Sequence, residues 1–138
     1  MLTIKDFTTN HENLANLLSV ATYGNMWPLV RPFKSDAEKG LFEDCECRED
    51  KWAKALLNGK GVMVYDCYDE NIDEDVNDFA QFPKSAKHHI TIKDVEKGLE
   101  LMRDQYPSHY ADLMEEDDDL TTGDVWLQLA VFGELIYG

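Results

Sequence analysis

At 138 residues the chain is long enough for one domain, 1–138, that buries roughly two thirds of the surface its unfolded form exposes, so no disulfide scaffold is needed. Hydrophobic residues at 43% and aromatics at 11% supply a core and exclude wholesale disorder. Twenty-eight acidic residues against 13 basic ones give a net charge of −15, which repels nucleic acid and anionic membranes and attracts basic surfaces.

The start, "MLTIKDF", has no basic region followed by an apolar one, and no apolar run in the chain has membrane-spanning length. A soluble protein of the cytoplasm is expected. Three cysteines, Cys45, Cys47 and Cys67, suit a reducing compartment better than a disulfide framework.

"LTIKDF" at 2–7 returns as "ITIKDV" at 90–95 and more loosely as "LTTGDV" at 120–125. In each, a threonine (Thr3, Thr91, Thr121) stands three residues before an aspartate (Asp6, Asp94, Asp124), the spacing of a helix capping box. The flanking apolar pairs Leu2 with Phe7, Ile90 with Val95 and Leu120 with Val125 have hydrophobic-staple spacing. Nothing else recurs between the copies. They therefore predict three helix starts and not an internal repeat.

Thr9 with Glu12 and Ser35 with Glu38 repeat the box spacing without the staple. Leu14, Leu17, Leu18 and Ala21 share one helical face, which predicts a helix over about 10–22 that stops near Gly24. "MWPLVRPF" carries Pro28 and Pro32, which exclude a helix and leave an edge strand over about 26–34. "DKWAKALLNGKG" reads as a short helix ending at Asn58 and Gly59, and "GVMVYDCYD" as a strand over about 61–68. A long acidic loop over about 69–87 follows, polar, without periodicity and containing Pro83.

Val95, Leu99, Met102 and Tyr106 form a helical stripe closed by Pro107, and Tyr110, Leu113 and Met114 form the apolar side of a shorter helix. "GDVWLQLAVFGELIYG" is apolar nearly all round, which predicts a buried C-terminal helix presenting Trp126, Leu129, Phe132 and Ile136. In that helix Asp124 is expected as a cap residue, and Gln128 and Glu134 on a narrow polar strip or satisfied by neighbours. The fold class that emerges is α+β: a small antiparallel sheet from 26–34 and 61–68, covered by four to five helices.

The candidate chemistry is sparse. Asp69, Asn71, Asp73, Asp75 and Asn77 alternate as in a calcium-binding EF-hand, but Glu74 replaces the glycine of its sharp turn and Ala80 its bidentate glutamate. Cys45, Cys47, Cys67 and either His88 or His89 offer a zinc donor set, although Glu43, Asp44, Glu46 and Glu49 disfavour the thiolates a nucleophile needs. No serine elbow, Gly-rich phosphate loop or His-Glu-x-x-His motif is present, so a non-enzymatic protein without a cofactor is expected.

Charge position says more than charge total. The acids concentrate at 43–50, 66–78 and 112–119, and the second cluster contains no Lys or Arg. Carboxylates held on a folded scaffold imitate the phosphate row of a duplex and compete for a basic channel. The expected contacts are Glu46, Asp69, Glu70, Asp73, Glu74, Asp75, Glu116, Asp117 and Asp118, with an apolar surface around Trp27 and Tyr68 as the alternative place.

"HITIKDVEKGLELM" and the ending "ADLMEEDDDLTTGDVWLQLAVFGELIYG" resemble a group of uncharacterised small proteins of tailed bacteriophages, mainly over residues 88–138. The residues that carry the resemblance are His89 to Ile92, Gly123 to Val125, Gln128, Phe132 to Glu134, and Tyr137 with Gly138. It implies a phage origin and a role in the host cytoplasm during infection, and it supplies no activity. Together these features lead to the expectation of an acidic accessory protein that binds and inhibits a host protein with a basic surface, in its strongest form as a nucleic-acid mimic against a host nuclease or defence complex. The alternatives are a small zinc-stabilised protein and a structural virion component.

Overall fold

The computed structural model describes residues 7, 9–76, 78–115 and 120–137. Its first helix, α1 (His11–Thr22), starts one residue later than Thr9 would place it, because the Asn10 side chain accepts from the N–H of Asn13 at 2.8 Å and caps the first turn. The stripe Leu14, Leu17, Leu18 and Ala21 is buried. Beyond it come β1 (Pro28–Pro32), a one-turn α2 (Lys34–Glu38), α3 (Arg48–Leu57) and β2 (Val62–Asp66). Two 3-10 turns, Phe79–Gln81 and Lys84–Ala86, lead into β3 (Lys87–Ile90). The chain then continues as α4 (Ile92–Gln105), α5 (Pro107–Met114) and α6 (Leu120–Phe132).

The architecture is α+β, with an antiparallel sheet ordered β1-β2-β3. Val64 of β2 faces Val30 of β1, and Val62 faces Ile90 of β3, so one face of the sheet supplies a row of buried aliphatic side chains. Two elements exceed the sequence expectation. The strand β3 begins where the acidic loop was expected to end and was not expected, because three of the four residues of "KHHI" are polar and only Ile90 is buried. The turn α2 takes Ser35 inside it instead of using it as a cap.

Helix α6 packs between α1 and α4, which makes it the centre of the molecule. Both crossings depend on glycine. A Cβ on Gly98 of α4 would lie 2.8 Å from the Ala130 Cβ, and one on Gly123 would lie 2.7 Å from the backbone nitrogen of Ala21. Any larger residue there pushes helix backbones apart.

The three threonine boxes meet three different outcomes. At Thr91 the box is formed: the Asp94 carboxylate accepts from the Thr91 N–H at 2.9 Å, while Ile90 and Val95 are both buried beside it. Thr91→Ala should cost about 0.5–2 kcal/mol, read from a denaturant titration. Thr3 and Asp6 lie outside the described residues. Thr121 stands inside α6, which already begins at Leu120, so it is not the cap, and Asp124 is drawn into a different role described below.

The final helix is also shorter than expected. Gly133 adopts φ +75° and its N–H donates to Leu129 O at 3.0 Å, the left-handed stop that ends α6. Ile136 is therefore not on a buried helical face and is 50% exposed, and Glu134 lies past the helix end.

Candidate functional site

The C-terminal segment folds back because the buried Gln128 captures it. Gln128 Oε1 accepts from the N–H groups of Ile136 and Tyr137, both at 2.8 Å, and Nε2 donates to Tyr137 O at 3.2 Å and to Asp124 Oδ2 at 3.1 Å. Asp124 Oδ1 accepts in turn from the indole N–H of Trp27 at 2.7 Å. Trp27 is only 3% exposed, so it belongs to the core and not to the aromatic surface expected of it. Every polar group of this cluster has a partner, as burial requires.

The clamp also fixes the base of the acidic loop. Tyr137 Oη donates to Asp66 Oδ2 at 2.6 Å, at the end of β2. Burial, this bond and the nearby carboxylates of Asp66, Asp69 and Glu70 push the Tyr137 phenol far above its ordinary range, so the phenol remains a donor at physiological pH. Tyr68, 54% exposed, stands edge-on to the Tyr137 ring with centroids 5.5 Å apart.

From Asp66 the loop proceeds by turns. Asp66 Oδ1 accepts from Tyr68 N at 3.0 Å, Asp69 Oδ1 from Asn71 N at 2.7 Å, and Asp78 Oδ1 from Ala80 N at 3.0 Å. Aspartate therefore shapes this loop as well as charging it. Its far end is held by Phe79 and Phe82 against Tyr65, and by Lys87 Nζ donating to Ala80 O at 2.9 Å.

Of the expected contact residues, Glu70, Asp73, Glu74 and Asp75 are exposed and Asp69 is half-buried. None of the five forms an ion pair with a described Lys, Arg or His. Glu46 is exposed on a separate element, the turn ahead of α3. Glu116, Asp117 and Asp118 lie outside the described residues, as does Asn77 of the EF-hand pattern.

The zinc donor set is not assembled. No group of three or more His, Cys, Asp or Glu side chains among the described residues stands close enough to hold a metal ion. Neighbours in β3 point to opposite faces: His88 meets the Phe132 ring at 5.2 Å and His89 meets Phe33 at 4.9 Å. Burial first, then a neighbouring aspartate, pushes up the thiols of Cys45, beside Asp44, and Cys67, beside Asp66. Both are poor nucleophiles.

No helix among the described residues is long and apolar enough to cross a membrane. No family model, curated protein or solved structure matches the chain.

Sequence reasoning missed the roles of Asp124 and Tyr137, and of its two places for Gln128 the one satisfied by neighbours is the one observed. The one available signal was a glutamine inside an apolar helix, since a buried amide demands several partners.

Proposed function

We propose that this chain is a non-catalytic phage accessory protein, acting in the host cytoplasm, that docks its acidic loop onto the basic surface of a host protein and inhibits it. The observation that carries this reading is the state of the loop carboxylates: five within seven residues, four of them exposed and none in an ion pair with a described residue, on a loop braced at both ends. Surface carboxylates outside ion pairs remain available to a partner's Arg and Lys, and bracing at both ends of the loop lowers the ordering entropy lost on docking. A row of negative charge is what a channel built for phosphates attracts, which makes a nucleic-acid-binding host complex the favoured target.

Affinity capture from infected host cells tests the reading. The wild-type chain should retain a basic host protein that added nucleic acid displaces. The triple variant Asp73→Asn, Glu74→Gln, Asp75→Asn should fail to retain it while keeping its melting temperature. Identical captures by the two chains would remove the loop from the binding surface.

A further inference from the structure

A groove of about 750 Å³ runs along the free edge of β1, between that strand and α3. Its charge is opposite to that of the molecule. Arg31, Lys34, Arg48 and Lys51, four of the chain's 13 basic residues, line it, and none of its 28 acidic residues does. Arg48 has a local partner in Glu49 at 2.8 Å and Lys34 has one in Glu38 at 3.9 Å. Arg31 and Lys51 have no carboxylate partner among the described residues. Arg31 lies over the Phe79 ring at 5.1 Å. The remaining lining includes Leu29 and Met63, which are apolar.

The backbone of β1 makes a specific offer. Cys67 N–H donates to Trp27 O at 2.8 Å, and in an antiparallel ladder hydrogen-bonded and non-bonded positions alternate. Leu29 and Arg31 therefore bond to β2, while Pro28, Val30 and Pro32 turn their backbone groups outward. The two prolines sit where a missing N–H costs the sheet nothing, and they leave the edge with one outward donor, at Val30, and outward carbonyls on either side of it. Such an edge resists open-ended pairing with a long strand but accepts a short one.

We propose that this groove binds a short, extended, acidic segment of a partner protein, which pairs with β1 through Val30 and sets its carboxylates against Arg31 and Lys51. Side chains of an extended segment alternate in direction, so a sequence alternating acidic and apolar residues presents its carboxylates on the sheet face of Arg31, which Leu29 and Met63 share, and its apolar groups on the opposite face, that of Val30. A nucleic-acid strand also carries the required negative charge. It lacks the backbone N–H groups that the β1 carbonyls call for, and a chain of net charge −15 repels a polyanion more than a short peptide.

The test is fluorescence anisotropy with the full chain and a fluorescein-labelled decapeptide of alternating Glu and Val. Saturable binding is expected, weakened about tenfold or more by Arg31→Glu with Lys51→Glu and by less with Arg31→Gln and Lys51→Gln. A peptide of the same sequence N-methylated at alternate residues should bind the unaltered protein more weakly, which tests the edge without any variant. Four results would each overturn the proposal: no saturation by about 1 mM peptide, affinity unchanged in the Glu double variant, equal binding of a Lys-Val decapeptide, or tighter binding of a ten-nucleotide thymidine strand.

Discussion

Trp126→Ala is expected to destabilise the protein by about 3–5 kcal/mol, the largest single effect in the molecule. Trp126 is fully buried in the middle of α6, within the layer formed with α1 and α4. Truncation leaves a cavity that the flanking helices cannot close, because the glycine crossings at Gly98 and Gly123 already bring their backbones to contact distance. The change also strips the indole N–H that donates to Val95 O at 3.2 Å. A domain of ordinary stability has about 5–15 kcal/mol to lose, so the melting temperature should fall by on the order of 10–20 °C. Circular dichroism on heating reads this directly, and a loss below about 1 kcal/mol would contradict the placement of α6 at the centre.

Gln128→Ala should cost about 2–4 kcal/mol, since it leaves the N–H groups of Ile136 and Tyr137 without their acceptor and Asp124 without one of its donors. The consequences should be unequal along the chain. With its backbone anchor gone, Tyr137 no longer holds Asp66, and Tyr68 loses the ring it stands against. Hydrogen exchange should therefore speed up at the Tyr68 and Asn71 amides more than at the buried amides of α1. Uniform acceleration over the whole chain would mean that the C-terminal clamp does not brace the loop.

The parts of this fold that were legible in the sequence are those decided locally. The stripe of α1, the Thr91–Asp94 box and the proline-flanked β1 each depend on residues a few positions apart, and each formed as expected. Thr121 and Asp124 have the same spacing as Thr91 and Asp94, but tertiary partners prevail there: Trp27 and Gln128 take the Asp124 carboxylate that the box would have used. The strand β3 depends on pairing with β2 and has little apolar pattern of its own. The turn after Gly133 was hidden because its organiser, Gln128, lies eight and nine residues upstream of the amides it holds.

The candidate surfaces divide in the same way. The acidic loop could be read because its charges are contiguous, whereas the cationic groove could not, because β1, α2 and α3 each contribute part of it. The zinc set illustrates the opposite error. Its residue types suit the metal, but no three such side chains converge among the described residues.

The central claim is that the carboxylates of the loop bind a basic partner, and the most direct measurement is the affinity for a captured partner at two salt concentrations. Between about 0.1 and 0.4 M salt, wild-type affinity should fall by about tenfold or more, since exposed charges are screened beyond a Debye length of about 10 Å at 0.1 M. The triple variant Asp73→Asn, Glu74→Gln, Asp75→Asn should bind weakly at both concentrations and show a shallower dependence. An affinity indifferent to both salt and the triple substitution would contradict the claim and reduce the loop's charge to a solvated coat.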